Sequence, residues 1–355
     1  MLEKRRIFGL DLLRAFAIIQ VVLGHGSFLL SKSMFAGFPF IKMYDGVDLF
    51  FVLSGFLIGG IILKSINQSD FTSTQLLNFW KRRWFRTLPN YYLILLLNYL
   101  VVKYGIINED IEQFNFHFLT FTHNFNSPFY GFFWESWSLS VEEWFYIFSP
   151  IFIFFFLKIF SPKRAFFYTA LLMIIGSLFY RMYLFIDDGD SYHFNFILRK
   201  TVLCRLDSIG YGLLASWIYY YKNSVWNSNK WIYFFSGILL LIFLLNFKSP
   251  YGSYYRQVFF LSLSSISFML LLPLMNSFKA LGGFIGRSIT HISKISYSMY
   301  LINLALVAEV IRDNFAPVDG VDAVVKYMVF WLIVIVGSTL LYRFYEKPIM
   351  SLRDR

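Results

Sequence analysis

Ten windows of about 20 apolar residues divide this chain of 355 residues. They fall at 7–30, 46–65, 86–103, 140–158, 165–186, 201–221, 231–247, 256–277, 293–312 and 326–345. A segment in hydrocarbon must satisfy its own backbone N–H and C=O groups, so each window reads as a helix. The expected class is an all-α integral membrane protein, a bundle of about ten transmembrane helices in a single domain over 1–355. Only 15% of the residues are charged, against about 25% in a soluble domain.

Placement of charge sets the orientation. With the N-terminus inside, 20 of the 32 Lys and Arg residues fall in the inner segments 1–6, 64–86, 158–164, 222–230, 279–294 and 343–355. The positive-inside rule then puts both termini in the cytoplasm. The acids Glu109, Asp110, Glu112, Asp187, Asp188, Asp190, Asp319 and Asp322 fall outside. The net charge of +11 is therefore an orientation signal rather than a nucleic-acid patch. A lone cysteine, Cys204, excludes an internal disulfide and reads as a buried small hydrophobe. The first window is long, holds charges and lacks a small-residue cleavage site after it, so it reads as a retained helix. No internal repeat or low-complexity tract is visible. The longest outer segment, 104–139, is expected to form a short lid or a re-entrant piece.

The first window, "LDLLRAFAIIQVVLGHG", carries an acid, a base and an imidazole. At about 100° and 1.5 Å per residue, Arg14 and His25 share one face about 16 Å apart, with Asp11 nearly in line. Such a stripe is too costly in lipid and must face the bundle interior. Asp11 and Arg14 then lie in the cytoplasmic half and His25 near the outer end. "YDGVDLFFVLSGFLIGG" and "WSLSVEEWFY" both enter from outside, which brings Asp48 and one of Glu142 and Glu143 to the depth of His25. An imidazole with a carboxylate partner has the make-up of a general base; the alternative is a histidine bonded to a backbone carbonyl. On the inner side, "FWKRRWFRTLP" clusters Lys81, Arg82, Arg83 and Arg86, with Arg83 and Arg86 on one face if helical. These residues are either topology determinants or a phosphate site.

The chain resembles the membrane-bound acyltransferase-3 family, integral-membrane O-acyltransferases of bacterial surface glycans. The matching pieces run in order from end to end: "LDLLRAFAIIQVVLGH", "GVDLFFVLSGFLI", "RRWFRTLPNYY", "WSLSVEEWFYIFSP", "RLDSIGYGLLAS", "ISYSMYL" and "YRFYEKPI". The resemblance implies a bacterial inner-membrane enzyme that takes an acyl group from cytoplasmic acyl-CoA, acetyl-CoA above all. It passes the group to a hydroxyl of an extracytoplasmic surface polysaccharide or lipid-linked glycan. It implies His25 as the catalytic imidazole, and the shared depth offers Asp48 or Glu142 as its carboxylate partner. It implies Arg14 in the pore near the donor, and Arg83 and Arg86 at the CoA end, with Arg82 beside them. Glu142 is the member of the acidic pair that matches the family element. Family members often carry His shortly after "SYSMYL", where this chain has Asn303. The resemblance is to the standalone type, without a C-terminal extracytoplasmic domain.

Other polar residues read as structural. Arg205 and Asp207 are two apart and are expected to pair with other helices. Glu309 and Glu346 read as interfacial. His117, His123, His193 and His291 have no metal-ligand spacing, and no metal is expected. "LSGF" around Ser54 reads as close helix packing rather than a nucleophile. A transporter or flippase for a lipid-linked glycan is the alternative function, with a sensor or assembly subunit behind it. Direct transfer and an acyl-enzyme relay through His25 both remain open.

Overall fold

The computed structural model describes residues 6–36, 46–68, 71–127, 129, 131–187, 197–247, 250 and 253–352. His193, Asp188 and Asp190 lie outside the described residues. A helix stands at each of the ten apolar windows: α1 (Phe8–Gly26), α2 (Gly46–Gln68), α3 (Ser73–Lys103), α4 (Ser136–Phe156), α5 (Pro162–Asp187), α6 (Leu206–Tyr221), α7 (Lys230–Asn246), α8 (Phe260–Met275), α9 (Gly283–Ile302) and α10 (Gly320–Leu341). Among the described residues, seven helical stretches are long and apolar enough to cross a membrane. The other three differ for local reasons. Helix α3 carries the basic cluster along its first half, while α6 and α7 are only 16 and 17 residues long. The chain is a multi-pass membrane protein.

Two windows have boundaries that differ informatively. The third is expected to begin at 86, but α3 begins at Ser73, so the basic run is helical. The polar start is stabilised by a capping box between Thr72 and Gln75. The ninth window continues past α9 into a π-helical stretch, Asn303–Glu309, before a last turn at Val310–Asn314. Such widened turns recur at functional sites.

Helices α2 and α6 make the tightest seam. A Cβ on Gly55 would lie 2.1 Å from the Ile209 carbonyl oxygen, and one on Gly212 would lie 2.2 Å from that of Val52. Only hydrogen side chains allow that approach, which is how membrane helices gain dispersion contact without a hydrophobic drive. Two buried ion pairs pin the same region. Asp48 on α2 pairs with Arg205 and accepts from Ser264 Oγ on α8 at 3.0 Å. Arg181 on α5 pairs with Asp207 at 2.8 Å, with Ser262 Oγ 2.6 Å from both. Arg205 and Asp207 thus point to different helices, as their spacing requires.

The 104–135 segment folds back against the bundle. Tyr91 and Tyr92 on α3 donate to the carbonyls of Phe118 and Leu119, each at 2.8 Å. Trp144 Nε1 donates to the Phe121 carbonyl at 2.8 Å, about two turns inside the end of α4. Phe121 takes a left-handed conformation, φ 58°, to close the short His117–Thr120 helix. This tucked loop is anchored to α3 and α4 through its own backbone carbonyls.

Candidate active site

Helix α1 sets the axis of the site, with arginines at one end and His25 at the other. At the arginine end a cavity of about 490 Å³ opens between α1, α2, α3, α4 and α9. Arg6, Arg14, Arg83 and Arg86 line it, and so do Asp11 and Glu142. Its walls are otherwise apolar on α2, from Val47 to Ile61. Asp11 is held by Arg6, at 2.8 Å from Nε and 2.5 Å from Nη2, and by Ser293 Oγ at 2.8 Å. Asp11 therefore pairs with Arg6, not with Arg14. Among the described residues Arg14 and Arg86 make no hydrogen bond or ion pair. Arg14 feels Arg86 and Arg6 as like charges and Asp11 and Glu142 as opposite ones. Four guanidinium groups against two carboxylates leave the cavity positive, in surroundings where charge is weakly screened.

Helix α4 has two working faces, because residues four apart align and residues two apart oppose. Ser138, Glu142 and Tyr146 face the cavity. Glu142 accepts from Ser54 Oγ at 2.5 Å and from the Tyr146 hydroxyl at 3.2 Å. Glu143 turns instead to Thr87 and Trp84 on α3. On the opposite face Ser136 and Ser140 meet His123 Nε2, at 3.1 and 3.4 Å. A second cavity of about 500 Å³ lies on that side, between the tucked loop and Trp144. Burial pushes the His123 imidazole down to about 3, so it stays neutral at ordinary pH.

The arginine cavity closes at Ser138 and Tyr300. The Tyr300 hydroxyl donates to the Glu135 carbonyl at 3.0 Å and lies 2.6 Å from Ser138 Oγ. One turn further along α9, Asn303 Oδ1 meets His25 Nδ1 at 2.7 Å. The stretch "SKISYSMYLIN", residues 293–303, thus serves five places at once, Asn303 being one. Ser293 holds Asp11, Tyr297 donates to the Thr87 carbonyl at 2.9 Å, and Ser298 donates to Glu346 at 2.7 Å. Tyr300 closes the cavity.

The expected residues are therefore only partly assembled. Arg14, Arg83, Arg86 and Glu142 share one cavity. Arg82 points away from it and is exposed. Asp48 has both oxygens engaged, by Arg205 and Ser264, and Glu142 by Ser54 and Tyr146, so neither is the partner at His25 Nδ1. Arg205 captures Asp48 laterally, which an argument from depth alone does not see. Ser54 is more than packing, since its hydroxyl binds Glu142 while Gly55 makes the seam. Tyr300 and Ser138 escaped the residue-level reading because neutral side chains give no charge pattern, and Asn303 showed only as a departure from the family element. Glu346, read as interfacial, is buried and accepts from Asn90 Nδ2 at 3.0 Å as well as from Ser298. Among the described residues no group of three His, Cys, Asp or Glu could hold a metal ion.

The model of the acyltransferase-3 family, described as an acyltransferase domain, matches residues 7–343. The chain belongs to the acyltransferase-3 family. Among its relatives is a Staphylococcus aureus (strain COL) protein provisionally named an O-acetyltransferase, 26% identical over 368 residues, covering 98% of this chain and 58% of that protein. The peptidoglycan O-acetyltransferase of Listeria monocytogenes serovar 1/2a is 32% identical over 171 residues, 44% of this chain and 25% of that protein. A Bacillus subtilis (strain 168) protein provisionally named for the same activity is 34% identical over 164 residues, 42% of this chain and 24% of that one. The chain thus spans little more than half the length of the Staphylococcus relative. No solved structure matches.

Proposed function

We propose that this acyltransferase is a membrane O-acetyltransferase of the bacterial inner membrane. It carries an acetyl group from cytoplasmic acetyl-CoA to a hydroxyl of an extracytoplasmic glycan, either a surface polysaccharide or a lipid-linked saccharide. In this reading all ten long helices cross the bilayer and both termini are cytoplasmic. The observation that carries the reading is the pair of arginines, Arg14 and Arg86, without an ion pair among the described residues of a positive, membrane-embedded cavity. Uncompensated guanidinium groups in low dielectric favour an anionic ligand, and their planar forks suit phosphate. The apolar α2 wall suits the uncharged arm of a thioester. O-acetyltransferase names among the relatives favour acetyl as the group and a glycan as the acceptor.

The reaction assigns His25 as general base. The acceptor O–H proton passes to the imidazole, and the hydroxyl oxygen forms a C–O bond to the thioester carbon. The C–S bond then breaks, and sulfur leaves with its electron pair and takes the proton. Arg14 and Arg86 hold the donor and Arg83 closes the phosphate end. Glu142, bonded to Ser54, fixes the wall beside Arg14.

The test is the ester content of purified surface polysaccharide by NMR, from cells with the intact gene, a deletion and His25→Ala. Loss of one O-acetyl signal in both mutants, with glycan abundance unchanged, supports acyl transfer. Loss of the glycan itself, with the remainder still acylated, would instead favour export.

A further inference from the structure

The partner of His25 is a side-chain amide, and its orientation is determined by its own neighbours. Asn303 Nδ2 lies 2.9 Å from the Met299 carbonyl and 2.7 Å from the Tyr300 carbonyl. A carbonyl oxygen only accepts, so both contacts must be donated by the amide NH2, which has two protons. The reversed amide would put its oxygen against two carbonyl oxygens. Oδ1 therefore points at His25 Nδ1, 2.7 Å away, and Oδ1 also only accepts. The proton in that bond belongs to Nδ1.

We propose that Asn303 is a positioning residue, holding His25 in the tautomer with the proton on Nδ1 and the basic lone pair on Nε2. The inference rests on the reading of His25 as general base. An orienting group on one ring nitrogen decides which nitrogen does the chemistry. A carboxylate would do this with a full charge, whereas the amide does it without one. Asn303 favours the tautomer through hydrogen-bond direction rather than through charge.

The surroundings hold Asn303 still. It begins the π-helical stretch that ends at Glu309, where the helix widens. The stretch and the last turns of α9 before it are both tied to Glu135, which is buried at the N-cap of α4: its Oε1 accepts from Ala305 N–H at 2.9 Å, and its carbonyl accepts from the Tyr300 hydroxyl at 3.0 Å. Gly26, next to His25, packs so closely on the Phe330 ring that a Cβ would sit 2.5 Å from it. Both partners of the bond are thus fixed by their own helices.

The test uses the full chain in lipid bilayers, labelled with 13C and 15N at its five histidines. His25→Ala identifies the His25 signals. The expected spectrum has the protonated ring nitrogen bonded to Cγ, the mark of Nδ1–H. Asn303→Leu removes the acceptor and should give mixed tautomers, with kcat down about tenfold, the scale of one lost hydrogen bond, and an unchanged KM for acetyl-CoA. Asn303→His can donate to a backbone carbonyl from one nitrogen and accept with the other, so it should restore both. A wild-type proton on Nε2 overturns the proposal, and so does Asn303→Leu with wild-type tautomer and kcat. If Asn303→Leu fails to fold, the wild-type spectrum alone decides. Transfer that persists in His25→Ala would refute the base assignment instead, leaving the tautomer measurement to stand by itself.

Discussion

The Tyr300 hydroxyl and Ser138 Oγ lie 2.6 Å apart at the closed end of the arginine cavity, one helical turn short of Asn303 and His25. Because the tyrosine proton is committed to the Glu135 carbonyl, Ser138 is the donor in this bond. The pair stands between the compartment proposed for the donor and the imidazole proposed to act on it. A closed site keeps water from a reactive ester.

Removing that closure should uncouple the two compartments. Tyr300→Ala is expected to raise CoA thiol release in the absence of acceptor severalfold, while Tyr300→Phe, which keeps the ring, raises it less. A thiol-reactive dye on protein in nanodiscs measures both. Equal, unchanged thiol release in both variants would show that Tyr300 is no barrier.

The arginines should separate by position. Arg86→Ala should raise the KM for acetyl-CoA about 10- to 100-fold, the range for one charged hydrogen bond. Arg82→Ala, whose side chain points away from the cavity, should change it by less than about twofold. Steady-state kinetics over a range of acetyl-CoA concentrations decides. Equal effects would mean that charge along α3, rather than cavity geometry, holds the donor.

Asp48 should matter to the fold before the chemistry. Asp48→Asn leaves Arg205 buried with its ion pair broken, a loss of about 3–5 kcal/mol. The expected result is a lower yield of folded protein and a lower thermal midpoint, with activity per folded molecule retained. Wild-type stability with abolished activity would return Asp48 to the catalytic set.

Glu109 should make stability depend on pH. Burial, with the nearby Glu309 charge adding to it, pushes its carboxyl up to about 8 from an ordinary 4.5, against the opposing pull of Arg312 and the Phe133 N–H. The folded state therefore keeps a proton that the unfolded chain sheds. Stability is highest below about pH 4.5 and falls as pH rises toward 8. Glu109→Gln should flatten that decline in thermal midpoints measured between pH 5 and pH 8. A slope unchanged by the substitution would assign the decline to other groups.

The helices were legible because lipid forces one solution on an apolar window, and the ten windows each hold one. The polar stripe on α1 was legible because helical angles are fixed, so Arg14 on a cavity follows from spacing alone. Pairing was less so. Depth along the membrane normal places Asp48 near His25, but the lateral order of helices decides that Arg205 takes it. Arg82 and Arg83 are adjacent in sequence, and only the rotation of α3 tells which one enters the cavity. Asn303 stood out as a departure from a pattern, yet its contact with His25 depends on how α9 widens after Tyr300. Neutral partners leave little trace in a sequence, since they change neither charge nor hydropathy.

The positive cavity has a kinetic consequence. Four guanidinium groups gather there against two carboxylates. If phosphate groups are what they hold, the spent carrier bears the same phosphates as the loaded one, and the arginines do not distinguish them. Attraction that speeds capture also slows departure. On that reading the acetyl group would contribute little to the grip, and the turnover ceiling would lie with the escape of the leaving molecule rather than with the bond it has lost.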